Sequence, residues 1–312
     1  MAEKINSTIE HPFQTAFIIG SPRSGTTILG EILESHPGVA YFYEPYYIWY
    51  YHTRDLSTDY IPREDIGPVE AAWIRRQFHR LYRTGSKNLV VDKSPEHSFN
   101  IPIIQYVFPE AKFIHIIRDG RDVTLSIKKE WLKRKKLVER QDPIDLVKTV
   151  NNMLKRQPLL YFRLLAIWYE LKNNFSLSKD KYFNKAKWRG EVGWGPRFRG
   201  WEEILDSVPL INFHARQWLE CLNQIQHDLQ SIPPSNILEI YYENLVSENS
   251  QKIIEQVLSF LDLPPSADFQ NNRPAIKTFN TRKWSRELSR EEIEEITPVL
   301  QAKLIDLGYE PA

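Results

Sequence analysis

The chain has 312 residues, 41 Lys and Arg against 40 Asp and Glu, 42% hydrophobic residues and one cysteine. A chain this long buries a large core without metal or disulfide staples, and Cys221 alone excludes an internal disulfide or a zinc site built on two cysteines of one chain. A net charge of +1 argues against nucleic acid or an anionic membrane as the dominant electrostatic partner.

Residues 1–13 are polar and read as neither a secretory nor a transit leader. No apolar run approaches the roughly 20 residues of a membrane helix, so a cytoplasmic globular protein is expected. Residues 15–20, TAFIIG, form a short apolar run closed by glycine and predict a buried parallel strand. From Thr26, the residues Ile28, Leu29, Ile32 and Leu33 fall at helical spacing until His36-Pro37-Gly38 stops the helix. The pattern recurs with a strand over 88–92, a helix over 97–108, a strand over 112–117 and a helix from about 119. Helical patterns then dominate, over 159–171 and 212–229, interrupted by a stretch at 185–201 rich in Gly, Trp and Arg. A last strand at 236–240 precedes a helix over 251–261. This alternation predicts an α/β fold with a central, largely parallel sheet and ligand loops after Gly20, Val91, Ile117 and Ile240. The reading is one domain over 1–312, with an inserted helical region over about 133–209.

The segment GSPRSGTT at 20–27 links the first strand to the first helix. Successive backbone N–H groups and a helix N-terminus converge in such a loop, which makes a phosphate cradle. Gly20 and Gly25 fit the G-x-x-x-x-G-K-[ST] spacing, but Thr26 stands where that motif has lysine, and Arg23 lies within the loop. Metal-dependent hydrolysis of a nucleoside triphosphate is therefore disfavoured, and a phosphate-type ligand held without metal is expected. A second cluster, RDGRDVTLS at 118–126, puts Arg118 at a strand end and Ser126 about two helical turns on, with Arg121–Asp119 surface pairing as the alternative.

These residues resemble the sulfotransferases that use 3'-phosphoadenosine 5'-phosphosulfate (PAPS), in the branch of tyrosylprotein and many bacterial members. The resemblance extends to Ser35-His-Pro37, Asp92-Lys-Ser-Pro95, the run at 108–113, Tyr242-Glu-Asn-Leu245, Lys283-Trp284 and the run at 307–311. It implies a P-loop-like, three-layer fold and transfer of a sulfuryl group to an acceptor hydroxyl, with PAP as product and no metal.

On the 5' side the donor would be held by Arg23, Ser24, Gly25, Thr26 and Thr27, with Arg23 also counted as catalytic. Arg118 and Ser126 would hold the 3'-phosphate, Lys93 would neutralise the leaving oxygen, and Lys283 and Tyr242 would lie near the donor. Glu44, in YFYEP after the His-Pro turn, is the expected base, with His97 as runner-up. The basic run at 128–136 is expected to be a solvated helix face, and the loop at 188–201 to stack on an acceptor or staple itself down. The alternatives are a PAP-binding module without catalysis and, behind it, a P-loop kinase or NTPase. The acceptor and the oligomeric state are left open.

Overall fold

Phe17 and Ile19 of strand β1 (Gln14–Ile19) face one side of the sheet, Ala16 and Ile18 the other, and all four are fully buried. A strand apolar on both faces needs cover on both, and the helices supply it. β1 pairs with β3 (Leu89–Lys93) and β4 (Lys112–Ile117). β2 (Val39–Tyr43) lies outside β3, and β5 (Ile237–Tyr241) lies outside β4. All four pairings are parallel. The structure is a computed structural model and describes residues 13–53, 57–83, 87–140, 155–173, 193–276 and 281–310.

One face is covered by α1 (Thr26–Glu34), the short α9 (Tyr242–Leu245), α10 (Ser250–Phe260) and Phe269 of α11 (Ala267–Asn272). The other carries α2 (Tyr46–Trp49), α3 (Pro68–Tyr82), α4 (Ile101–Val107), Phe162 and Ala166 of α6 (Leu160–Asn173), and the end of α8 (Leu210–Leu229). A third cluster joins α5 (Gly120–Arg140), α7 (Trp201–Ser207), α8 and α13 (Arg290–Asp306), with Trp284 of α12 (Trp284–Glu287) against it. This is the expected three-layer α/β fold. The span 133–209 holds the end of α5, then α6 and α7, while 141–154 and 174–192 lie outside the described residues.

Four elements depart from the sequence reading. β2 was not anticipated, although Val39 and Tyr41 face one core and Ala40 and Phe42 the other. The helix expected over 97–108 is a 3-10 turn, Pro95–Phe99, followed by α4. Asn100 breaks it: its Oδ1 accepts the Ile61 N–H at 2.8 Å and its Nδ2 donates to the carbonyls of Asp59 and Glu96 at 2.9 and 2.8 Å. A side chain that satisfies nearby backbone groups in this way competes with the helix. α3 and α13 lie in stretches for which no helix was predicted.

Candidate active site

The loop after β1 is shaped from inside. The Ser24 hydroxyl and N–H both donate to the Ser21 carbonyl, at 2.7 and 3.2 Å, so Ser24 is buried and does not line the cleft. A Cβ on Gly20 would stand 2.7 Å from the Ile116 carbonyl oxygen, which leaves glycine as the residue that lets the loop leave the sheet here. Gly25, the N-cap of α1, has φ +102° and packs under the Tyr242 ring. Arg23, at φ +69°, turns its side chain into the cleft, where Nε donates to the Ser126 hydroxyl at 2.9 Å. The Arg118 guanidinium donates to the Arg23 carbonyl at 2.8 Å and lies 4.1 Å over the Tyr242 ring. The loop, the end of β4 and the start of α9 are thus tied into one wall. The first-turn N–H groups of α1 have no intrahelical acceptor and open at this wall beside Thr26 and Thr27.

Glu44 and Lys93 meet across the ends of neighbouring strands. Tyr43 is in register with Lys93, and the Glu44 N–H donates to the Lys93 carbonyl at 2.8 Å. Glu44 takes a left-handed φ of +47°, which ends β2, and its Oε1 accepts a hydrogen bond from Lys93 Nζ. The Lys93 side chain is 3% exposed and that of Glu44 34%, so the pair is rooted in the protein on the lysine side and opens to the cleft on the carboxylate side. Lys93 also lies 4.9 Å from the Tyr43 ring centroid. Burial, with Glu44 beside it, raises the pKa of the Tyr43 hydroxyl.

His97 does not join this pair. It is buried edge-on to Phe17 and Trp49, with Nε2 3.0 Å from Asp92 Oδ1, and it does not line the cleft. Asp92 also accepts the Trp49 indole N–H at 2.8 Å. The Trp49–Asp92 hydrogen bond, with His97 packed against it, lies at the strand end that presents Lys93.

The third wall is α5. Asp122, Ser126, Glu130 and Arg134 recur every four residues and all line the cleft, and Arg118 stands four residues before them. Of these, the sequence reading had named Arg118 and Ser126 and had assigned Arg134 to a solvated basic face. The fourfold spacing on one helix side was the signal that could have found the others. Burial lowers the pKa of Arg134, which Glu130 and Glu44 oppose. Lys128 and Lys129 of the same run pair with Glu292 and Glu287, while Lys133, Lys135 and Lys136 are exposed. The Arg121–Asp119 pair expected at the surface exists at 2.8 Å but is buried, with Arg121 4.1 Å from the Trp284 ring centroid.

Asp122 accepts the N–H groups of Arg282 and Trp284 at 2.7 and 3.0 Å, which holds Lys283 at the cleft margin; burial raises the Asp122 pKa. The ring centroid of Trp194, in the loop at 188–201, lies 5.9 Å from both the Arg23 and the Arg134 guanidinium. Its carbonyl accepts from Trp131 and Gln217 at 2.9 and 3.1 Å. Arg197 then closes on Asp59 through its N–H at 2.7 Å and its guanidinium at 2.8 Å, stapling this part of the loop. Trp188 lies outside the described residues.

The cleft so formed encloses about 510 Å³ at the carboxyl ends of β1, β2, β3 and β4. Cations from three walls line it: Arg23, Lys93, Arg118, Lys129, Arg134 and Lys283. Comparison with known proteins then gives the family. The profile described as "Sulfotransferase family" matches residues 15–176, just over half of the chain. The chain belongs to the sulfotransferase family.

Among curated relatives of this chain, the nodulation protein NoeE of Sinorhizobium fredii is 24% identical over 130 residues, 37% of this chain and 31% of NoeE. The omega-hydroxy-beta-dihydromenaquinone-9 sulfotransferase Stf3 of Mycobacterium bovis is 40% identical over 65 residues, 20% of this chain and 16% of Stf3. The chain thus spans under a third of the length of these two relatives. The sulfotransferase domain from the curacin biosynthetic pathway has the same fold, with a TM-score of 0.51 at 15% identity, covering 96% of this chain and 99% of that one. Among the described residues, no helix is long and apolar enough to cross a membrane.

Proposed function

We propose that this sulfotransferase moves the sulfuryl group of PAPS to an acceptor hydroxyl by in-line displacement, releasing PAP. The observation that carries the reading is the contact between Glu44 and Lys93 in the cleft that also holds the β1–α1 loop. The residues fit a donor with phosphate at both ends. The first turn of α1 and Arg23 suit the phosphosulfate, and Arg118 with Ser126 suits the 3'-phosphate through a guanidinium fork and a hydroxyl. A cleft of about 510 Å³ lies in the size range of small-molecule sites.

In this reading the acceptor O–H gives its proton to Glu44 as its oxygen bonds to sulfur. The S–O bond to the phosphate breaks, and that oxygen keeps the electron pair. Lys93 faces the new negative charge. Glu44 loses its own charge in the same step, so its hold on Lys93 weakens as the departing phosphate's hold grows, and one ammonium serves the ground state and the transition state in turn. The acceptor named in Stf3, an omega-hydroxylated dihydromenaquinone, carries a hydroxyl, the group that Glu44 would deprotonate here.

Titration calorimetry with PAP against ATP plus magnesium tests the donor assignment. Preferential PAP binding is expected, and preferential ATP binding would sink it. Tight PAP binding without sulfate transfer to any of a panel of alcohols, phenols, sugars and peptides would move the protein to the non-catalytic reading.

A further inference from the structure

Helix α6 is apolar on two sides. Phe162 and Ala166 are buried in the core, where Phe162 meets Phe42 edge-on at 4.9 Å between ring centroids and Tyr169 meets Tyr46 at 5.7 Å. On the other side Leu160, Leu164 and Ile167 are 68%, 57% and 38% exposed, flanked by Trp168 at 45% and Tyr161 at 40%. With about 100° between successive residues of an α-helix, these five fall within roughly one-third of the helix circumference. They are five of the nine exposed large hydrophobic residues among the described ones, so the apolar surface is concentrated on this helix. An ordinary surface helix presents charge on that side.

Charge is segregated around the same part of the chain. Residues 128–200 carry 19 Lys and Arg against 7 Asp and Glu, whereas the remainder carries 22 against 33. Lys155 and Arg156 are exposed just before α6, Arg156 within 3.7 Å of the Glu31 carboxylate, and Arg163 is on the helix. Arg156 lies 4.3 Å from the Tyr43 ring centroid, so the helix begins at the edge of the cleft next to Glu44.

We infer that α6 is an interfacial docking element that lays this protein on an anionic phospholipid surface, apolar side down. The α6 helix has 14 residues, too short to span a bilayer and long enough to lie in its headgroup region. Leu160, Leu164 and Ile167 enter the acyl boundary, Trp168 and Tyr161 sit at the amphipathic level suited to their rings, and Lys155 with Arg156 meets the anionic headgroups. A second copy of the chain is the competing occupant, and the oligomeric state of the wild type separates the two. Docking would place the Tyr43–Glu44 edge of the cleft toward the lipid.

The test is independent of sulfuryl transfer. The full chain is sedimented with phosphatidylcholine vesicles and with vesicles in which part of that lipid is replaced by phosphatidylglycerol. The wild type is expected to bind the mixed vesicles, to bind neutral ones at least several-fold more weakly, and to be released by salt. Leu164→Asp/Ile167→Asp should lower the partition by about tenfold or more, whereas Ile305→Asp, an exposed apolar residue on α13, should leave it unchanged. Lys155→Glu, which leaves the apolar side intact, should lower binding to mixed vesicles several-fold and spare the fold. Absence of vesicle binding by the wild type overturns the inference. So does binding that the α6 variants do not weaken, or a wild-type dimer that Leu164→Asp/Ile167→Asp converts to monomer.

Discussion

Replacing Glu44 by glutamine removes one negative charge from a contact whose other partner is almost wholly enclosed. Lys93 is 3% exposed in its side chain, so its ammonium cannot recover full hydration when Glu44 is neutral. A fully buried pair broken on one side costs roughly 3–5 kcal/mol, but Glu44 is 34% exposed, and water reaching that side reduces the loss to about 1–2 kcal/mol. For a chain of this size that is a fall in Tm of about 1.5–3 °C. The same substitution removes the proposed base, which is worth about 10²–10⁴ in turnover. It also removes the group that competes with a phosphate for Lys93, so PAP should bind as tightly as before or a few-fold more tightly.

Three measurements on Glu44→Gln therefore move in different directions: melting falls slightly, turnover collapses, and calorimetric PAP affinity holds or rises. A variant that loses PAP affinity about tenfold while keeping its turnover refutes the reasoning, because Glu44 would then support the donor site and take no proton.

Gly25→Ala should cost about 2–5 kcal/mol, since a left-handed φ costs an L-residue roughly 1–2 and displacing a packed ring roughly 1–3; the new Cβ would lie 2.4 Å from the Tyr242 ring. Gly200→Ala shares the positive φ with nothing within 4 Å, so it should show only the smaller backbone part in urea unfolding, and equal costs would contradict the packing account. Glu96, with its pKa raised to about 7 by burial and by repulsion from Asp59 and Glu44, favours the folded state while protonated. That contribution is complete below about pH 4.5 and is lost as pH rises through about 7, so Glu96→Gln should flatten the decline of Tm over that window and gain about 1–3 kcal/mol at pH 8. A parallel Tm profile for the variant would show that Glu96 ionises without penalty.

The sheet was legible where a strand's neighbours in sequence are turn residues. Residues 15–20, 88–92, 112–117 and 236–240 are short apolar runs set off by polar or turn residues, and each is a strand. β2 escaped because its aromatic residues run without a break into α2: after Val39-Ala-Tyr-Phe-Tyr43 only Glu44-Pro45 separates it from Tyr46, and the stop is a backbone φ that no residue type announces. The helix expected over 97–108 failed on Asn100, whose partners at Ile61 and Asp59 are distant in sequence. The site divides in the same way. The cations at strand ends, Arg23, Lys93 and Arg118, follow from local motif and spacing. Ser24 was named for its place in the loop, and only its turn back to Ser21 reveals that it faces inward. Arg134 was hidden inside a run of lysines, where composition weighed more than its register with Ser126 and Glu130.

The near-equality of acidic and basic residues illustrates why a sum of charges says little about partners. Field strength depends on where charges are left uncompensated by neighbours. On α5, Lys128 is paired with Glu292 and contributes little beyond its own surroundings. The cations that face the cleft serve a different end. Lys93 is bound to a carboxylate that the proposed reaction neutralises, and Arg118 is stacked on Tyr242 with one donor spent on the Arg23 carbonyl, which aims the guanidinium and preserves its charge. Residues 128–200, Lys128, Lys129 and Arg134 among them, carry an excess of 12 positive charges in the part of the chain that holds the exposed apolar side of α6. Each is invisible in a net charge of +1, and each implies a different dependence on salt. Surface pairs should weaken at once, docking on lipid should fall steeply, and the enclosed Lys93–Glu44 contact should change least.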